Sequence, residues 1–174
     1  VNIHVEPVCY STDDTAELAE IFNGNEALIK KYAEKLSISF ERVEYAKNNF
    51  IRVVKVMKAF ILNDSVKSFL CLNNKLPQEN KGLFDIKLLE EFADAIIKLY
   101  GIKGLKGKDL LYSINSEDYD AKRAEFIQRL SKGEKLFVIS SYNTVGAGQN
   151  LQYKAPGNAT IVAVNDYDRG DMEK

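Results

Sequence analysis

The residues best suited to chemistry lie together in Phe137 to Tyr153, FVISSYNTVGAGQNLQY. An apolar run ends in Ser140 and Ser141, and the chain then passes Thr144, Gly146 and Gly148 to reach Gln149-Asn150-Leu151. Short hydroxyl and carboxamide groups hydrogen-bond phosphate oxygens without reading base sequence, and glycines let the main chain approach a sugar–phosphate backbone closely. A loop that follows a buried parallel strand also lies where open α/β sheets bind ligands, beyond the carboxyl ends of their strands. The bland alternative is an ordinary strand-to-helix turn that binds nothing.

Other candidates are weaker. The string from Gly101 to Asp109, GIKGLKGKD, has one residue too many for a phosphate-cradling G-x-x-x-x-G-K-[ST] loop and ends in Asp where a hydroxyl is required. No Asp-Glu metal box is present, and His4 is the single histidine. Cys9 and Cys71 are far apart with no C-x-x-C spacing, which disfavours zinc and an obligatory disulfide and favours a reducing cytosol. Both read most simply as small buried residues. Glu117, Asp118 and Asp120 fit helix-start charges better than a carboxylate site. Lys98, Lys103, Lys106 and Lys108 form an acid-free run that could touch phosphates, though a solvated loop is the simpler reading. Arg169-Gly170-Asp171 matches an adhesion tripeptide by letters only.

The elements that must position the loop follow from periodicity. Ile3 to Tyr10 reads as a strand weakened by Pro7, and Ser11 to Asp14 supplies caps for a helix from Thr15 to Phe22 with Leu18, Ile21 and Phe22 inward. From Glu26 to Leu72 the pattern reads as almost wholly helical. Its stripes are Leu28, Tyr32 and Leu36, then Phe50, Val53, Val54, Met57 and Ile61. Asn73 to Gly82 is a polar connection, and Ile86 to Tyr100 a further amphipathic helix built on Leu88, Leu89, Phe92, Ile96 and Leu99. Beyond Gly101 the pattern becomes strand (Asp109–Ile114), helix to about Ser131 with Ala124, Phe126, Ile127 and Leu130 apolar, strand (Lys135–Ser141), glycine loop, and strand (Ala159–Asn165). Buried strands alternating with helices imply a parallel α/β sheet. The last three strands are expected side by side in it.

With 174 residues, 45% of them hydrophobic, the chain has enough material for one domain with a sizeable insertion and a core that needs no staples. A formal net charge of -1 announces no nucleic-acid binder overall, so any such surface must be a local patch. No apolar run approaches the roughly 20 residues of a membrane span, and no signal peptide opens the chain. A cytoplasmic protein without a membrane partner is expected. Val1 at the start and the charged stretch ending at Lys174 are read as cut ends of a longer protein.

The Phe137–Tyr153 string resembles motif V of superfamily 2 helicases, closest to the Swi/Snf-like branch, where a strand of the second RecA-like domain runs into a Ser/Thr-rich loop ending Gly-x-Asn-Leu. Aligning on Gly148, Asn150 and Leu151 puts Ser141 at the loop-opening serine, and Tyr142 where the family has Thr, with Thr144 close enough to substitute. Arg123 and Gly133 match the helix arginine and the glycine before the strand. Val5–Phe22 looks like motif IV followed by its helix, with Ser11 just after the strand. The resemblance covers residues 104 to 166 well, and it implies several things. Residues 1–174 would form a second RecA-like domain, α/β with a mostly parallel sheet, flanking helices and a helical insertion at about 24–101. Gly146, Gly148 and Asn150 would face the nucleotide, and Ser11, Ser141 and Thr144 the nucleic acid, DNA rather than RNA. ATP and magnesium would be held through a first RecA-like domain that these residues do not include, and the arginine helix of motif VI is likewise missing. The function implied is part of an ATP-dependent helicase or translocase. The alternative is a degenerate RecA-like domain acting as a non-enzymatic protein- or nucleic-acid-binding module. An unrelated small-molecule enzyme comes third, because no nucleophile–base pair stands out.

Overall fold

The computed structural model describes residues 13–41, 43–79, 84–115, 117, 119–142, 152–153 and 162–163. The chain divides into two compact units, one holding residues 1–64 and 77–109, the other residues 65–76 and 110–174.

The first unit is helical: α1 (Asp14–Ile21), α2 (Glu26–Ser39), α3 (Glu44–Leu62), α4 (Ile86–Leu99) and the short α5 (Gly107–Leu110), whose last residue opens the other unit. Three of these helices start on side-chain caps. Asp13 accepts from Thr15 and Ala16 N–H, Asn25 from Leu28 N–H and Asp85 from Lys87 N–H. The apolar stripes meet in an aromatic centre, with ring centroids 4.9 Å apart for Phe22 and Tyr32, 4.3 Å for Tyr32 and Phe92, and 5.4 Å for Phe50 and Phe92. Such ring pairs add roughly 0.5–1.5 kcal/mol each to the burial of their apolar area. The Tyr32 hydroxyl finds a partner by donating to Glu91 O at 3.0 Å. Burial, together with the charges of Glu91 and Asp94, pushes its pKa up to about 12. Glu17, almost fully buried on α1, pairs with Lys55 Nζ of α3 at 2.8 Å, and Glu20 holds the same ammonium at 2.9 Å. Burial would lower the Lys55 pKa, but these two carboxylates outweigh it and hold it raised.

The second unit carries the sheet. β1 (Ser68–Asn73), β3 (Leu136–Ser141) and β2 (Leu111–Ile114) are parallel, in that order across the sheet. Side chains alternate between faces. Leu70, Tyr112, Ile114, Leu136 and Val138 therefore share one face, and on it they pack with Phe126, Ile127 and Leu130 of α6 (Tyr119–Ser131). Ala124, grouped with these residues by periodicity, is exposed instead. α6 ends as two main-chain bonds close over its last turn, Gly133 N–H to Leu130 O and Glu134 N–H to Arg129 O. β3 is buried along Leu136–Ile139, the pattern of a central strand covered on both faces.

The fold is thus α/β with a small parallel sheet flanked by a helix, and it corrects three sequence expectations. Ser68–Asn73, all but its last residue inside the stretch expected to be helical, is an edge strand, because α3 stops at Leu62 and Asn63 is its C-cap. α5 takes Gly107–Leu110, so the strand expected from Asp109 begins only at Leu111. Most consequentially, the described part of the expected Ala159–Asn165 strand lies outside the parallel sheet. Of that span, Val162–Ala163 (β5) is described, and it pairs antiparallel with Gln152–Tyr153 (β4) in a separate ribbon. The Ile3–Tyr10 strand lies outside the described residues.

Candidate functional site

The chain's best placed polar groups sit at the carboxyl edge of the three-stranded sheet. Parallel register puts Leu72, Ser140 and Ile114 at one level and Asn73 beside Ser141 at the next. The two serines of β3 have different tasks because consecutive side chains point to opposite faces. Ser140 is 1% exposed and donates its hydroxyl to Ile114 O at 3.1 Å, tying the end of β2 to the end of β3. Ser141 is half-buried and emerges on the face opposite α6, in line with Asn73 of β1 and above the Phe69–Phe137 stack, whose centroids are 5.1 Å apart.

Each strand flanking β3 leads into an asparagine that holds its own turn. Asn73 Oδ1 accepts from Asn74 N–H at 2.9 Å, and Asn115 Oδ1 accepts from Glu117 N–H at 2.9 Å. Asn73 is buried, so its carboxamide is fixed by packing as well as by that bond. The edge therefore ends in a half-buried hydroxyl and a buried carboxamide on neighbouring strands. Such groups can donate hydrogen bonds to an anionic oxygen but bring no full positive charge to neutralise it.

Of the candidate residues read from sequence, Ser141 lies on this edge, and Tyr142 after it is 57% exposed. Ser11, Thr144, Gly146, Gly148 and Asn150 lie outside the described residues. Periodicity passes over Asn73, which reads in sequence as the start of a polar connection. The signal that could have found it is the short run Phe69-Leu70-Cys71-Leu72 ending in two asparagines, a buried strand followed by a turn.

The glycine string at 101–109 proves to be turn geometry. Gly101 has φ +65°, and it ends α4 through Gly101 N–H to Lys98 O and Ile102 N–H to Ile97 O. Gly107 lies against α4 so closely that a Cβ there would sit 2.4 Å from Glu90 O, and its N–H is engaged by Asp94 Oδ1 at 2.6 Å. Cys71, half-buried on β1, is a free thiol whose pKa burial pushes up to about 11, so it stays protonated near neutral pH.

Among the described residues no three His, Cys, Asp or Glu side chains gather where they could hold a metal ion. Among the same residues no helix is long and apolar enough to cross a membrane. No family model matches the chain, and no curated protein matches it either.

Proposed function

We propose that this chain is the nucleic-acid-contacting α/β domain of an ATP-dependent helicase or translocase, and that the carboxyl edge of β1-β3-β2 is its contact surface. One observation carries the reading. The buried central strand ends in two serines, the second of them level with Asn73, shortly before the helicase-like string Asn143–Leu151. Hydroxyl and amide donors on fixed strand ends suit a sugar–phosphate backbone that is gripped without regard to base identity. ATP and magnesium would be supplied by a partner domain of the same protein, and this chain's own part is to position and release the strand. The antiparallel pairing of Val162–Ala163 in a separate ribbon counts against a RecA-like core, so the reading rests on the three parallel strands and the string that follows them.

Fluorescence anisotropy with a labelled single strand of about 20 bases, longer than the site of one small binding domain, tests the contact. Asn73→Ala, Ser141→Ala and Thr144→Ala should each weaken binding by about three- to tenfold, one hydrogen bond's worth. The salt dependence should hold, because no charge is removed. Wild-type affinity in the combined triple variant would contradict the proposal.

A further inference from the structure

We infer that the loop from Lys98 to Lys108 is a second, electrostatic contact for a nucleic-acid backbone, carried by the helical unit and separate from the sheet edge. Lys98, Lys103, Lys106 and Lys108 are all exposed, and the span contains no acidic residue although the whole chain has a formal net charge of -1. Among the described residues none of the four ammonium groups has an ion-pair partner. Two acids flank the loop: Asp94, whose carboxylate takes the Gly107 N–H, and Asp109, which follows it in the chain.

What separates this loop from an ordinary solvated lysine run is that its backbone is held at both ends. Gly101 closes the last turn of α4 in a conformation that L side chains resist. Gly107 is clamped between the Asp94 carboxylate and the Glu90 carbonyl, and Asp109 N–H closes the next turn onto Lys106 O at 3.1 Å. Ile102 and Leu105 are half-buried, so the apolar residues of the loop anchor it and the lysines face outward. A linear polyanion docking there orders only side chains, which lowers the entropic penalty of binding.

Lysines act on phosphates as point charges and do not select sequence. An anionic membrane would call for large apolar side chains exposed among the lysines. Between Lys98 and Lys108, Ile102 and Leu105 are half-buried and Tyr100, 36% exposed, is a single ring among four lysines. A single nucleotide is a poorer fit, because the Gly107 N–H that would cradle a phosphate is already engaged.

This contact needs no helicase activity, so a salt titration of binding tests it directly. The chain and its Lys98→Gln/Lys103→Gln/Lys106→Gln/Lys108→Gln variant are titrated with a labelled single strand and with its duplex at several salt concentrations. Removing one lysine–phosphate interaction should flatten the log–log salt slope by about 0.7 for the single strand or about 0.9 for the duplex. The fourfold variant should therefore give up about three units of slope on the single strand, between about three and four on the duplex, and at least about tenfold in affinity at low salt. Should that variant fold poorly by circular dichroism, Lys103→Gln and Lys106→Gln taken singly should each flatten the slope by about one such step. An unchanged slope and affinity would overturn the inference. So would binding to phosphatidylserine vesicles without binding to either nucleic acid. Ser141→Ala serves as the control: it should weaken binding and leave the slope alone, so the two contact surfaces stand or fall separately.

Discussion

Asn73 and Ser141, the last residues of β1 and β3, are register partners in a parallel sheet, and alternation puts both side chains on the face away from α6. Residues nearly 70 apart in sequence thus become lateral neighbours at the edge where α/β sheets meet their ligands. One position earlier, Ser140 points the other way and is engaged with Ile114 O.

This alternation predicts a split between adjacent serines. Ser140→Ala should lower unfolding free energy by about 1 kcal/mol, since it removes a buried hydrogen bond and leaves a carbonyl less well satisfied. Ser141→Ala, at a half-buried rather than a buried side chain, should cost less stability than Ser140→Ala and should weaken nucleic-acid binding. Urea denaturation paired with anisotropy reads both, and equal stability losses in the two variants would contradict the assignment of separate tasks.

Much of this arrangement is legible in the residues. Helical spacing places Phe22, Tyr32, Phe50, Phe92 and Ile96 inward, and all are buried; the apolar run of β3 announces a strand covered on both faces. β1 escapes the sequence for a physical reason. Phe69-Leu70-Cys71-Leu72 is too short for periodicity to separate strand from helix, and it follows the strongly periodic α3 with little punctuation besides Asn63-Asp64. Asn73 goes with it, because a residue at a strand end has meaning only once the strand is recognised. Ala159–Asn165 fails in the opposite sense. Its β-branched composition suggests a strand, but composition does not choose a partner, and Val162–Ala163 pairs with Gln152–Tyr153.

The close approach at Gly107 predicts that Gly107→Ala destabilises the helical unit by about 1–3 kcal/mol. The added carbon meets backbone, which cannot yield as a flexible side chain can. Gly104→Ala meets nothing within 4 Å, but its φ of +76° opposes any Cβ, so a smaller loss of about 1 kcal/mol is expected there. Thermal melts of the two variants should rank in that order, and the reverse order would count against the packing described for α5.

Tyr32 predicts the alkaline limit of stability. In the unfolded chain the phenol loses its proton near pH 10.0, whereas in the folded chain its pKa is raised to about 12. Between these values the unfolded state binds fewer protons, so stability is fully present below pH 10 and falls as pH rises toward 12. Cys71, raised from 9.0 to about 11 by burial, pulls in the same direction from a pH unit lower. Tyr32→Phe should therefore flatten the decline above pH 10 and leave the Cys71 contribution in place. Identical alkaline profiles for the variant and wild type would show that the phenol is not held neutral by its surroundings.

On the proposed function, the carboxyl edge and the loop after it would couple strand contact to ATP use in the whole protein. The most direct measurement is single-strand-stimulated ATP turnover by the full-length protein, wild type against Asn150→Ala and Ser141→Ala, with melting temperature followed in parallel. Asn150→Ala should reduce stimulated turnover by about ten- to a hundredfold, corresponding to a loss of roughly 1.4–2.7 kcal/mol of transition-state stabilisation. Ser141→Ala should raise the strand concentration needed for stimulation, and neither substitution should move the melting temperature much. A full-length protein with no stimulated turnover, or variants indistinguishable from wild type, would contradict this coupling.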